Sequence, residues 1–199
     1  EGGVGALDER ALGLLDRFVG RTQQLDLLAE LDLGPCAFGF ANGVLGRGIG
    51  GQTSPQMLVR FWQDVVALRP RVVHIMAGTN DIAGNTGTAT VQDYQNNILA
   101  MIDLARANGI AVVLAGVPPA RRFSWREGLD PRRSIRELNE WLRTTAASRG
   151  LGYVDYGVVL ADAAGGLRVD LGNDGVHTNQ DRYAVMRRAS EAALAGVLR

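Results

Sequence analysis

Three short apolar runs, Val72–Ala77, Ala111–Gly116 and Gly152–Asp155, limit what this chain can fold into more than any other feature. None alternates polar with apolar residues, and each leads into a Gly, Pro or Asp. Such runs predict strands buried on both faces, the signature of a parallel sheet covered by helices. Two weaker runs, Arg17–Gly20 and Val44–Arg47, extend the expected sheet to about five strands.

The stretches between the runs carry helix punctuation. Ser54 before Pro55 predicts an N-cap and a first-turn proline for a helix reaching Leu68, stopped by Arg69-Pro70. Thr90 and Asp93 form a capping pair for a helix reaching Asn108 and closed by Gly109. Asp130-Pro131 opens another, ended by Gly150, and a last one starts near Asn179. Strands alternating with helices of this length predict right-handed βαβ units and an α/β fold. No repeat, low-complexity tract or linker interrupts the chain, so residues 1–199 are expected to form a single domain.

Composition excludes some classes of partner. Twenty-one basic residues balance 21 acidic ones, which argues against nucleic acid or an anionic membrane as the main partner. No apolar run approaches the roughly 18 residues of a membrane span. Cys36 is the one cysteine, so no internal disulfide is available. The chain starts at Glu1 rather than Met and reads as trimmed, which leaves the compartment open between the cytoplasm and secretion.

In parallel α/β folds the chemistry lies in loops beyond the carboxyl ends of the strands. Those loops are Gly48-Ile49-Gly50-Gly51-Gln52-Thr53, Gly78-Thr79-Asn80-Asp81, Val117-Pro118-Pro119 and Asn173-Asp174-Gly175-Val176-His177. The D-x-x-H spacing lets Asp174 reach Nδ1 of His177 within one turn and leaves Nε2 as a general base. The plainer reading is a capping Asp beside a surface His. The other histidine, His74, sits inside an apolar run and reads as structural. An amide at Asn80, with a backbone N–H from Gly51, would form an oxyanion hole. An Asx-turn at a strand end competes with that role. Asp81 reads as a tie within its loop.

Together these residues resemble SGNH (GDSL-like) hydrolases. Gly48–Gln52, Gly78–Asp81 and Asp174–His177 are similar to that family's second, third and fifth blocks, in the family's order. The run from Gly46 to Met57 and the run from Ala77 to Asn85 are most like the acylhydrolase and carbohydrate-esterase branch. The likeness extends from Ala37 to the end of the chain. It implies a flavodoxin-like three-layer α/β/α sandwich, with Gly51 and Asn80 as oxyanion donors and Asp174 and His177 as acid and base. It implies no metal and no organic cofactor. The partner is a small-molecule ester, and a homo-oligomer stays open.

The family's first block, Gly-Asp-Ser, supplies the nucleophile and is absent here. The expected place reads Val19-Gly20-Arg21-Thr22-Gln23, with Thr22 where the serine belongs, or Gln23 if the alignment shifts by one. A threonine hydroxyl attacks only with an adjacent base. Three readings stay open: Thr22 is the nucleophile, the chain keeps a ligand cleft without turnover, or the recorded sequence before Ala37 is shifted.

Phe123 and Trp125, with Arg126, lie in the loop between Pro119 and Asp130 and are expected to line a substrate pocket, with a packed loop as the alternative. Trp62 and Trp141 occupy helical positions suited to packing. The reading is therefore a carboxylic-ester hydrolase for short-chain acyl or acetyl esters. Its rivals are a catalytically impaired binding protein for an ester or carbohydrate and a nucleotide or flavin binder. No G-x-G-x-x-G opens a helix, which ranks the last lowest.

Overall fold

A computed structural model describes residues 28–31, 44–172, 174–177 and 180–197. Five strands form one sheet: β1 (Leu28–Leu31), β2 (Val44–Gly46), β3 (Val72–Met76), β4 (Ala111–Ala115) and β5 (Gly152–Val154). Their order is β2-β1-β3-β4-β5 and every pairing is parallel. The helices are α1 (Ser54–Asp64), α2 (Thr79–Ala83), α3 (Val91–Ala107), α4 (Arg132–Arg149), α5 (Tyr156–Leu160) and α6 (Gln180–Val197).

Register explains the layers. Val73 pairs with Val112 and Ile75 with Leu114. Their side chains share one core with Phe61 of α1, Ile98 and Ile102 of α3, and Leu138 and Leu142 of α4. The alternate residues Val72, Met76, Val113 and Ala115 pack on the other face, against Tyr156 and Leu160 of α5 and Met186 of α6. The result is the expected three-layer α/β/α sandwich. None of the helices in the described residues is long and apolar enough to cross a membrane.

Helix signals mostly land where expected. Thr90 and Asp93 exchange hydrogen bonds at the start of α3, Asp93 N–H to Thr90 Oγ1 at 3.1 Å and Thr90 N–H to Asp93 Oδ2 at 2.9 Å. Behind them Tyr94, Ile98, Met101, Ile102 and Ala105 form the buried stripe. Asp130 accepts the Arg132 N–H at 3.1 Å to open α4, and Gly150, at φ +64°, closes it. Two expectations shift at α1. The cap of α1 is Thr53, not Ser54, with Gln56 accepting the Thr53 N–H at 3.1 Å. That helix ends at Asp64, and Val66–Leu68 is a separate 3₁₀ turn. The first strand is Leu28–Leu31, whereas the run Arg17–Gly20 lies outside the described residues. Leu, Ala and Glu favour helix when read alone, and pairing with β2 and β3 on both sides overrides that preference.

His74 belongs to the core, as its surroundings in the sequence suggest. It is 2% exposed. Its Nε2 lies 3.1 Å from Tyr156 Oη, which lies 2.6 Å from Ser190 Oγ, so one cluster joins β3, α5 and α6. Burial lowers the His74 pKa to about 4, so the folded state holds the ring neutral while the unfolded chain protonates it below about 6.5. The unfolded state thus binds more protons between these values, and stability present above pH 6.5 drains away as the pH falls toward 4. Urea unfolding of wild type at pH 7 and pH 5 should differ by about 2 kcal/mol more than in His74→Leu. Equal acid sensitivity in the two proteins would remove His74 as the cause.

Candidate active site

The loop after β3 can turn only because residue 78 is glycine. Gly78 has φ +124°, and a Cβ there would come 2.7 Å from Val117 Cγ2. The turn delivers Thr79, Asn80 and Asp81 into α2, and all three are buried. Asp81 reaches across to the start of α1. Its Oδ1 accepts the Ser54 hydroxyl at 2.5 Å and the Ser54 N–H at 3.0 Å. Asn97 of α3 donates to the same Ser54 hydroxyl at 3.1 Å. Asp81 therefore ties loops together, and Ser54 is committed to that tie.

This tie brings the loops after β2 and β3 together. Asn80 Nδ2 donates to the Gln52 carbonyl at 2.8 Å. Asn85 Nδ2 donates to Asn80 Oδ1 at 2.9 Å and to the Gly51 carbonyl at 3.2 Å. Gly51 has φ +80°, and a Cβ there would meet nothing, so its backbone turn rather than crowding requires glycine. Gly51 and Asn80, the expected oxyanion donors, thus occupy adjoining loops clamped through Gln52 and Asn85. Asn85 has no role in the sequence reading. Its place at the end of the run from Ala77 to Asn85 was the available signal.

Asp174 and His177 meet as their spacing predicts. Asp174 Oδ1 accepts the backbone N–H of Val176 at 2.9 Å and of His177 at 2.7 Å, and Gly175 turns between them at φ +85°. Asp174 Oδ2 accepts His177 Nδ1–H at 2.6 Å. Partial burial opposes ionisation of Asp174, but the His177 side chain and the two N–H donors outweigh it and hold the pKa at about 2. An ionised Asp174 can only accept, so Nδ1 carries the proton and neutral His177 keeps its lone pair on Nε2. The His177 side chain is 71% exposed.

Two contacts seat this loop on the body of the fold. The Arg121 N–H donates to the Gly175 carbonyl at 3.4 Å, and Arg121 also pairs with Asp162. Gly172 lies so close under the loop that a Cβ there would come 2.4 Å from the His177 carbonyl oxygen.

Trp125 joins the two halves. Its ring centroid is 5.7 Å from that of His177. Its Nε1–H donates to Asn85 Oδ1 at 3.0 Å. Contacts therefore run unbroken from His177 through Trp125 and Asn85 to Asn80. Trp125 is 41% exposed and available to a ligand, whereas Phe123 is 1% exposed. Phe123 stacks against Trp125 with centroids 5.2 Å apart, so it supports the indole and does not line a pocket. Trp62 lies elsewhere, beside a depression with Pro70 and Asn108 at the amino ends of β3 and β4. Thr22 lies outside the described residues. The expected strand before it, Arg17–Gly20, lies outside them as well, and the described β1 begins after both in the chain.

The profile of the GDSL-like Lipase/Acylhydrolase family matches residues 23–185. The chain belongs to this family. A crystal structure of a Bacteroides fragilis protein described as an acylhydrolase is 32% identical, with a TM-score of 0.82 over 98% of this chain and 100% of that one. A GDSL-like lipase of Bacteroides thetaiotaomicron is 31% identical, with a TM-score of 0.80 over 92% of this chain and 96% of that one. An acetyl-xylooligosaccharide esterase of Geobacillus, in a mutant form, shares the fold at 18% identity, with a TM-score of 0.64 over 84% and 92% of the two chains. An uncharacterized lipoprotein of Bacillus subtilis is 39% identical over 74 residues, which span 36% of this chain and 30% of that protein.

In this GDSL-like chain an added methyl at Gly172 would press directly on the backbone of the His177 loop. Gly172→Ala should lose about 1–3 kcal/mol in urea unfolding, since the His177 carbonyl is backbone and cannot yield cheaply. Gly196→Ala, whose methyl meets open space within α6, should hold or gain stability. Equal effects of the two changes would show that the Gly172 contact is soft.

Proposed function

We propose that this chain is a carboxylic-ester hydrolase acting on short-chain acyl or acetyl esters through a covalent acyl-enzyme. The observation that carries the reading is the Asp174–His177 pair, with Nδ1–H held on the carboxylate at 2.6 Å and the ring set against Trp125. In the first step His177 Nε2 takes the nucleophile's proton as the nucleophile bonds to the ester carbonyl carbon. The alcohol then leaves with that proton. Water, activated by the same nitrogen, releases the acid and restores the nucleophile. Asp174 stays ionised throughout and stabilises the imidazolium. The oxyanion is held by the Gly51 N–H and the second Nδ2–H of Asn80. The exposed ring of His177 supports an open site suited to small esters.

Thr22 is the nucleophile in this reading, with one rival that the fold raises. The stretch that follows β1, Asp32 to Gly43, has no Ser or Thr and contains Cys36. That lack of a hydroxyl also favours a second reading, a binding protein that holds an ester or carbohydrate without turnover. The protein should hydrolyse p-nitrophenyl acetate, and His177→Ala should lose at least about 10³-fold in kcat/KM. Asn80→Ala should lose about 10²–10³-fold in kcat. Equal rates for wild type and His177→Ala would end the esterase reading. A fluorophosphonate probe mapped by mass spectrometry separates the alternatives: label on Thr22 or Cys36 names the nucleophile, and an inert, unlabelled protein favours the binder.

A further inference from the structure

Asn85 has three hydrogen-bond partners, and two of them leave no choice about how its amide is turned. The indole Nε1–H of Trp125 can only donate, so the oxygen of Asn85 must face it, at 3.0 Å. The Gly51 carbonyl can only accept, so the nitrogen of Asn85 must face it, at 3.2 Å. The same nitrogen meets Asn80 at 2.9 Å, which requires the oxygen of Asn80 on that side. The nitrogen of Asn80 is then turned to the Gln52 carbonyl, at 2.8 Å, with its second N–H still to be given. Every donor in this series points the same way: Trp125 to Asn85, Asn85 to Asn80, Asn80 to Gln52. Bonds arranged head to tail polarise one another and strengthen the last donor.

We propose that Asn85 is a positioning residue for the ester-hydrolysing site, setting the amide of Asn80 so that an N–H and not a carbonyl oxygen faces the oxyanion, with Trp125 as the anchor that sets Asn85. This rests on the esterase reading above. An Asn80 amide turned the other way would aim oxygen at the developing negative charge, a reversal of sign at the point of greatest electrostatic demand. The contribution therefore appears in the transition state and not in ground-state binding, so it acts on kcat. The anchor also explains why Trp125 is held on both sides, by the buried Phe123 ring at 5.2 Å and by its own N–H bond.

The experiment is steady-state hydrolysis of p-nitrophenyl acetate by wild type, Asn85→Asp, Trp125→Phe, the double variant and His177→Ala. Rates are expressed per folded molecule, with the folded fraction taken from circular dichroism. Asn85→Asp keeps the acceptor for the indole but replaces the donor with an oxygen. It should lower kcat by about 10–100-fold, below or near the loss of an oxyanion donor itself, with KM within about threefold. Trp125→Phe keeps the ring beside His177 and removes only the N–H. It should lower kcat by about 3–10-fold alone, and by less than about twofold once Asn85→Asp has broken the series.

The proposal is overturned if kcat of Asn85→Asp stays within about fivefold of wild type, if the loss lies in KM alone, or if the two changes multiply independently. An inactive wild type, or an unchanged His177→Ala, overturns the esterase reading and this proposal together. An active wild type with a silenced His177→Ala and an unaffected Asn85→Asp overturns this proposal alone.

Discussion

A single buried carboxylate fixes where the loops of this protein meet. Asp81 is 8% exposed and has no ion-pair partner among the described residues; its oxygens accept the hydroxyl and N–H of Ser54. Burial raises its pKa, and the two Ser54 bonds pull against that rise. The N–H belongs to the first residue of α1, where the helix dipole also favours negative charge. Desolvation that would otherwise cost several kcal/mol is offset by donors the backbone already has to satisfy. The geometric consequence is larger than the energetic one. With Ser54 held, Gln52 two residues earlier is placed where Asn80, one residue before Asp81, can donate to it. The glycine loop after β2 and the turn after β3 become one rigid body.

The second half of the site is assembled independently. Asp174 and His177 form a closed local unit in which one carboxylate oxygen takes two backbone N–H groups and the other takes the imidazole. Such a unit is set by four consecutive residues and needs little from the rest of the fold except a seat. Gly172 and the Gly175 carbonyl provide that seat. What needs the tertiary structure is the relation between the two halves, and Trp125 supplies it from a third loop. An aromatic ring is well suited to this task, because its face can lie against an imidazole while its N–H satisfies an amide oxygen.

How much of this was readable from the chain follows from the range of each interaction. Strands β3, β4 and β5 and the α3 and α4 helices announce themselves through apolar runs and caps, which are local. So does the D-x-x-H unit. The five-residue helices α2 and α5 are too short for a period to register. β1 carries no strand signal of its own, because Leu28-Ala29-Glu30-Leu31 is helix-favouring in isolation and becomes a strand through its two neighbours. The sequence treats Phe123 and Trp125 alike, as pocket aromatics or as parts of a packed loop, yet one is buried and the other exposed. Two positions apart in a loop, they differ only in what packs on them. Asn85 gives no local signal, because its meaning lies in three partners, Gly51, Asn80 and Trp125, that are 34, 5 and 40 residues away.

The strand order sharpens the question of the nucleophile. β1 lies between β2 and β3. The Gly51 loop follows β2 and the Asn80 turn follows β3, so the carboxyl end of β1 points between Gly51 and Asn80. This is the topological switch point, where the chain crosses from one side of its first strand to the other and where parallel α/β folds bind ligands. In the proposed ester hydrolysis, a nucleophile that attacks a carbonyl held by Gly51 and Asn80 has to reach that gap. Leu31 ends the strand, opposite Ile75, and the residues that follow it in the chain offer a thiol at Cys36 and no hydroxyl before Gly43. The sheet thus makes a stricter demand on the nucleophile than on the base. In the proposed reaction His177 needs only a short loop and a seat, whereas the nucleophile, Thr22 or Cys36, has to reach the strand end that two other loops already flank.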